Sequence, residues 1–136
     1  MEKSLKLDMI AEKDDIEIME IKSENCPSLS VMTNSGRCYI GIDSRKLTGA
    51  EETVCKAHEL GHCETGAFYN RYAACDLVSK CEYRADVWAI ETLVTRAELL
   101  NAMRSGKTEI WELAEYFSVT EDFMRKVCIH YGFLEL

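Results

Sequence analysis

Residues 57–62 read Ala-His-Glu-Leu-Gly-His, and this stretch constrains the chain more than any other. His58 and His62 are two of only three histidines in 136 residues. Four apart on a helix, they share one face and present two imidazole nitrogens to one point. Zinc accepts neutral imidazole at roughly 2.0–2.1 Å and takes about four ligands in a tetrahedron. Glu59 follows His58 directly, so it falls beside such an ion rather than on it, placed to take a proton from an attacking water. The stretch is therefore expected to be helical. Thr48-Gly49-Ala50-Glu51 reads as a capping box that starts the helix. Val54, Ala57 and Leu60 give it an apolar stripe for burial, and Gly66 is placed to end it.

Two histidines leave a third protein ligand to find. Ser79-Lys80-Cys81-Glu82 reads as a second capping box, opening a helix that runs to about Val94. Glu82 and Asp86 stand at i and i+4 on its surface. Glu82 is the first candidate for the third ligand, and Asp86 is placed to accept the free N–H of a ligating histidine and fix its tautomer. Ala85, Val87, Trp88, Ala89, Ile90, Leu93 and Val94 leave the helix little polar surface, so it is expected to be buried, and buried carboxylates need partners. Thiolate is also a good zinc ligand, which keeps Cys63, Cys75 and Cys81 as rivals. Cys81 and Glu82 point ~100° apart on a helix and cannot both face one ion.

Upstream, Leu5–Lys13 reads as a short amphipathic helix and residues 16–21 as a half-buried strand. Cys26-Pro27 breaks that strand. Two further strands, 29–33 and 37–43, flank Asn34-Ser35-Gly36, a turn with glycine where a positive φ is needed, and so form an antiparallel hairpin. Residues 66–78 form a connector carrying Phe68, Tyr69 and Tyr72. Beyond it, Thr95 caps a helix to Arg104. Two more helices, 108–117 and 120–131, follow with apolar stripes Ile110-Leu113-Ala114-Phe117 and Phe123-Val127-Tyr131. The expected fold is α+β and zincin-like: a small N-terminal antiparallel sheet, the histidine helix, the glutamate helix and a C-terminal helical pair. One domain spans residues 1–136, divided into 1–47, 48–104 and 105–136.

Composition narrows the function classes. A formal charge of −8 argues against a chain whose business is gripping phosphates. The last helix opens on Glu121-Asp122, with only Arg125 and Lys126 against them, so the helical pair is read as packing on the metal half rather than entering a DNA groove. No apolar run approaches membrane-spanning length, and charge interrupts Met1–Asp8 before any signal-peptide core, which sets a cytoplasmic expectation. Seven cysteines, an odd number without a C-x-x-C pair, are expected to be small thiols rather than a disulfide framework.

His-Glu-Leu-Gly-His followed by Glu82-x-x-Ala85-Asp86-x-Trp88-Ala89 resembles the ImmA/IrrE family of small zinc metallopeptidases, and more broadly the thermolysin-like gluzincins. The match covers His58 to about Leu100 well, and the flanks only in pattern. The resemblance implies zinc held by His58, His62 and Glu82, with Glu59 as general base and Asp86 behind a ligand. Tyr69 or Tyr72 could supply the O–H such peptidases aim at a developing oxyanion. It also implies a protein substrate, a repressor or regulator of a phage or mobile element. That substrate is expected to lie extended along the cleft, against the sheet edge near Cys38–Ile42. The alternative is a non-catalytic protein that keeps zinc as a staple and binds a regulator. Glu59 separates the two, because a staple needs no base.

Overall fold

A computed structural model of the chain describes residues 3–70 and 72–134. In chain order the elements are α1 (Lys3–Lys13), β1 (Glu17–Glu20), β2 (Ser28–Met32), β3 (Cys38–Ile42), a 3-10 turn at Ser44–Lys46, α2 (Gly49–Thr65), α3 (Cys75–Leu93), α4 (Arg96–Arg104), α5 (Ile110–Phe117) and α6 (Glu121–His130). The α+β expectation holds.

The hairpin forms as its turn chemistry requires. Gly36 sits at φ 86°, and Thr33 N–H donates to the Arg37 carbonyl at 2.8 Å. The sheet, expected to be antiparallel, is instead mixed: β2 pairs antiparallel with β3, but β1 pairs parallel with it, in the order β1-β3-β2. The reason lies at the end of β3. Ile21 N–H donates to the Ile42 carbonyl, Ser23 N–H to Asp43 Oδ2, and Asp43 N–H to the Pro27 carbonyl. These bonds carry residues 21–27 across that end, so β1 and β2 lie on opposite sides. Arg45 grips the buried Asp43 with two bonds of 2.9 Å. That guanidinium, helped by the Ser23 N–H, holds the Asp43 carboxyl well below the usual range against the effect of burial. Central placement also suits composition: β3 is the strand with buried Cys38, Ile40 and Ile42, while the flanking strands carry Glu and Ser.

Helix α2 lies against the sheet and against α1, whose Leu7 and Ala11 join Ile40, Ile42, Ala57 and Leu60 in one core. That core continues through Ala89, Ile90 and Leu93 of α3 into Leu99, Leu113, Phe117, Phe123, Met124 and Val127. Helix α3 differs from expectation in two ways. It starts at Cys75 with Ala74 as N-cap, so Ser79 is inside the helix rather than capping it. Nothing between Cys75 and Ser79 breaks a helix, and the ladder simply runs back one more turn. Nor is α3 buried all round: Cys81, Ala85, Ala89, Ile90 and Leu93 face inward, while Tyr83 is 64 % exposed.

The thiol expectation also fails at one pair. Cys38 and Cys63 are joined as a disulfide, Cα atoms 5.9 Å apart, linking β3 to the last turn of α2. Cys26, Cys55, Cys75, Cys81 and Cys128 remain free thiols. Pairing depends on Cα separation in space, which spacing along the chain does not report.

Helices α2 and α3 approach closely at Gly61. A Cβ there would lie 2.5 Å from the Ala85 carbonyl oxygen and 2.9 Å from its Cα, and backbone cannot give way as a side chain can. Gly61→Ala would gain about 1 kcal/mol of helix propensity. Overpacking costs typically 1–3 kcal/mol, and here the obstacle is backbone, so the clash is expected to win. Thermal unfolding should show a lower midpoint for Gly61→Ala than for wild type; an equal or higher one would show that the helices are free to part.

Candidate metal centre

The capping box at the start of α2 is present in both directions: Glu51 N–H donates to Thr48 Oγ1 at 3.2 Å, and Thr48 N–H to Glu51 Oε1 at 2.8 Å. Gly66, at φ 68°, ends the helix. Between these points the helix runs unbroken and sets His58 and His62 one turn apart.

Each imidazole is oriented from behind. His62 Nδ1 donates to the Ala67 carbonyl at 2.6 Å, and since a carbonyl only accepts, the proton of neutral His62 sits on Nδ1. The turn at Gly66 delivers that carbonyl. His58 Nδ1 lies 2.8 Å from Asp86 Oδ1 on α3. Both Nε2 atoms therefore face the same space, 3.2 Å apart. Glu82 completes the group, with Oε2 2.8 Å from His58 Nε2 and Oε1 3.2 Å from His62 Nε2. Among the described residues His58, His62 and Glu82 form a cluster whose ligand atoms all lie within 4.8 Å of one another.

The donor set fits a cation. Two imidazole nitrogens bound at about 2.0–2.1 Å to one tetrahedral ion stand about 3.3 Å apart, close to the separation found. With both Nδ1 atoms protonated, two nitrogen lone pairs and a carboxylate converge with no hydrogen between them. A metal ion relieves that repulsion, and so does a proton. Burial disfavours charge on His58, but the Asp86, Glu82 and Glu59 carboxylates outweigh it and raise its pKa above the ordinary 6.5. Burial likewise opposes charge on Asp86, but His58 and Lys126, whose Nζ lies 3.3 Å from Asp86 Oδ2, keep that carboxyl below its usual range.

The other candidates separate cleanly. Glu59, only 8 % exposed, stands outside the ligand cluster and accepts from Ser28 Oγ and Ser30 Oγ, each at 2.8 Å. Tyr69 donates its O–H to Glu82 Oε1 at 2.7 Å, and that bond above all pushes its pKa up to about 12. Tyr72, 80 % exposed, is not among the residues of the cleft. No cysteine joins the cluster: Cys63 is in the disulfide, Cys75 is exposed, and Cys81 turns its thiol toward the Phe68 carbonyl. The cleft, about 370 Å³, is walled by Ser28, Leu29 and Ser30 of β2 on one side and Phe68 and Tyr69 on the other. A second cavity of about 410 Å³ shares Ser28, His58 and Glu82 with it and reaches Phe123 and Lys126 of α6. Sequence reasoning missed Ser28 and Ser30, Lys126, the Ala67 carbonyl and Gly61. The Ser-x-Ser alternation on a strand, which puts two hydroxyls on one face, was the one signal available for any of them.

A small sheet beside two helices, one bearing the histidine pair and the next the glutamate, defines a minimal zincin-like fold. The chain belongs to the family of the IrrE N-terminal-like domain, the M78 peptidases, whose family model matches residues 11–127. Comparison with curated proteins and with solved structures returned no match.

Elemental analysis should find about one metal ion per chain, as three inner-facing ligands require. His58→Ala or His62→Ala should abolish it, Glu82→Ala should weaken it strongly, and Cys63→Ser, Cys75→Ser and Cys81→Ser should leave it in place; the reverse pattern would move the third ligand to sulfur. The pH dependence has a definite sign. Because the His58 pKa is raised, protons begin to compete with the ion above the ordinary imidazole range. Metal affinity should be full well above the His58 pKa and fall by about tenfold per pH unit below it. Affinity that stays flat from about pH 8 to about pH 5 in a metal titration would remove His58 from the ligand set.

Proposed function

We propose that the chain is a zinc-dependent endopeptidase that cuts an extended segment of a protein regulator. The observation that carries this reading is Glu59. It is a carboxylate next to a two-histidine, one-glutamate cluster, yet outside it, where a purely structural site has no use for one. Membership in a peptidase family supports the same conclusion.

Zinc held by His58, His62 and Glu82 would supply Lewis-acid activation of a water and of the scissile carbonyl. The residues of the chain do the rest. Asp86 and the Ala67 carbonyl keep the two imidazoles in the ligating tautomer. Glu59 takes the proton of the attacking water and later passes it to the leaving amine. The Tyr69 hydroxyl, already at the cleft wall, is placed to turn from Glu82 toward a developing oxyanion.

The sheet edge offered to a substrate is not that of β3, which is paired on both sides. It is β2. The hydrogen-bonded partners Thr33–Arg37 and Pro27–Asp43 set the alternation of the antiparallel ladder, so Leu29 and Val31 bond inward to β3. The N–H and C=O groups of Ser28, Ser30 and Met32 then point outward along the cleft, where an extended peptide could pair with them. The resemblance of the motif supplies the target: a repressor or regulator of a phage or mobile element, met in the cytoplasm. Direct nucleic-acid binding has little support from a charge of −8. Among the described residues no helix is long and apolar enough to cross a membrane.

The test is incubation of the purified protein with candidate repressor proteins, with and without chelator, in wild-type and Glu59→Gln forms. Glu59→Gln removes the proton acceptor and no ligand, so metal content should stay close to wild type. Cleavage should fall by about 10²-fold or more. If Glu59→Gln relieves repression in cells as well as wild type does, hydrolysis is not the function, and the non-catalytic zinc-stapled binder takes its place.

A further inference from the structure

The surroundings of Glu59 carry an inference that rests on the metallopeptidase reading and goes beyond it. Its carboxylate is held at both oxygens, by Ser28 Oγ at Oε2 and by Ser30 Oγ at Oε1, each at 2.8 Å. The two donors are two residues apart on β2, so they project from one face of one strand. A carboxylate with a single donor can still turn about its terminal torsion, which has a broad minimum. A separate donor for each oxygen, at a spacing set by the strand, removes that freedom. Each oxygen keeps further acceptor capacity, so the carboxylate can still take a proton. The same two residues turn their backbone N–H and C=O groups outward along the unpaired edge of β2.

We propose that Ser28 and Ser30 are positioning residues for Glu59, a clamp that ties the orientation of the base to the strand on which a substrate backbone would pair. An extended peptide seated on β2 is thereby aligned with the base by one rigid element. Substrate would be selected in the first place for its ability to lie as a strand. Serine, rather than a longer polar side chain, suits this task because its hydroxyl has one rotor to fix.

The experiment uses cobalt(II)-substituted full-length protein, with acetohydroxamate as probe, followed by visible absorption. A hydroxamate chelates the ion and gives a proton to the carboxylate beside it, so its affinity reports the base without any substrate. The Ser28→Ala/Ser30→Ala protein should bind cobalt within about twofold of wild type, since neither serine touches a ligand. Its acetohydroxamate affinity should fall by about 10–100-fold, the scale of lost outer partners. Ser28→Thr/Ser30→Thr, which keeps both hydroxyls, should restore most of it. In the Glu59→Gln background the alanine substitutions should cause no further loss. In metal-free protein the serine and Glu59 substitutions should likewise be non-additive in thermal unfolding. Should the double alanine protein fail to fold, the single variants are read by the same criteria. Unchanged hydroxamate affinity in the alanine variants, or an equal further loss in the Glu59→Gln background, would overturn the clamp. A wild-type protein that takes up no cobalt would overturn the metal reading itself, and the clamp with it.

Discussion

The close approach of α2 and α3 at Gly61 and Ala85 is the constraint on which the rest of the structure depends. Two histidines on α2 cannot make a centre alone. Glu82 must come within ligand distance of both, and Asp86 must stand directly behind His58. A residue with a side chain at position 61 would hold α3 away and lengthen every one of these distances. The missing Cβ is thus part of the site, though Gly61 contacts no ligand atom. Glycine in mid-helix costs about 1 kcal/mol relative to alanine, and the packing it permits offsets that cost.

Around that contact the site is built by exclusion of protons as much as by placement of ligands. The Ala67 carbonyl and the Asp86 carboxylate each claim an Nδ1 hydrogen, leaving both Nε2 lone pairs turned inward. The two partners come from different sources. One is backbone, delivered by the left-handed residue that ends α2; the other is a side chain on the neighbouring helix. His58 feels Asp86, Glu82 and Glu59 together, and these carboxylates outweigh its burial in favour of the protonated form. A proton on His58 therefore competes with a metal ion.

The C-terminal helices are joined to the centre as well as to the core. Phe123 and Val127 of α6 are buried in the same cluster as Leu60 and Leu93, and Lys126 reaches Asp86 across the cavity that continues the cleft. Helix α6 thus carries a cation to the Asp86 carboxylate behind His58, a residue of the candidate metal cluster. Its exposed first turn, Glu121 and Asp122, adds to the acidic surface rather than relieving it.

Local signals settled much of this protein in advance. The capping boxes at Thr48 and Thr95, the glycines at 36 and 66, and the i, i+4 pairs His58–His62 and Glu82–Asp86 act over a few residues, so the sequence alone determined the helices, the hairpin and the set of candidate ligands. At Ser79 the unbroken ladder from Cys75 overrides the local capping signal. Other features join residues distant in the chain. Ser28 and Ser30 meet Glu59 across separations of 31 and 29 residues, Cys38 meets Cys63 across 25, and β1 finds β3 rather than β2 because residues 21–27 cross its end. Only the tertiary structure decided these, because each depends on how finished elements pack in space and no short stretch of the chain contains both partners.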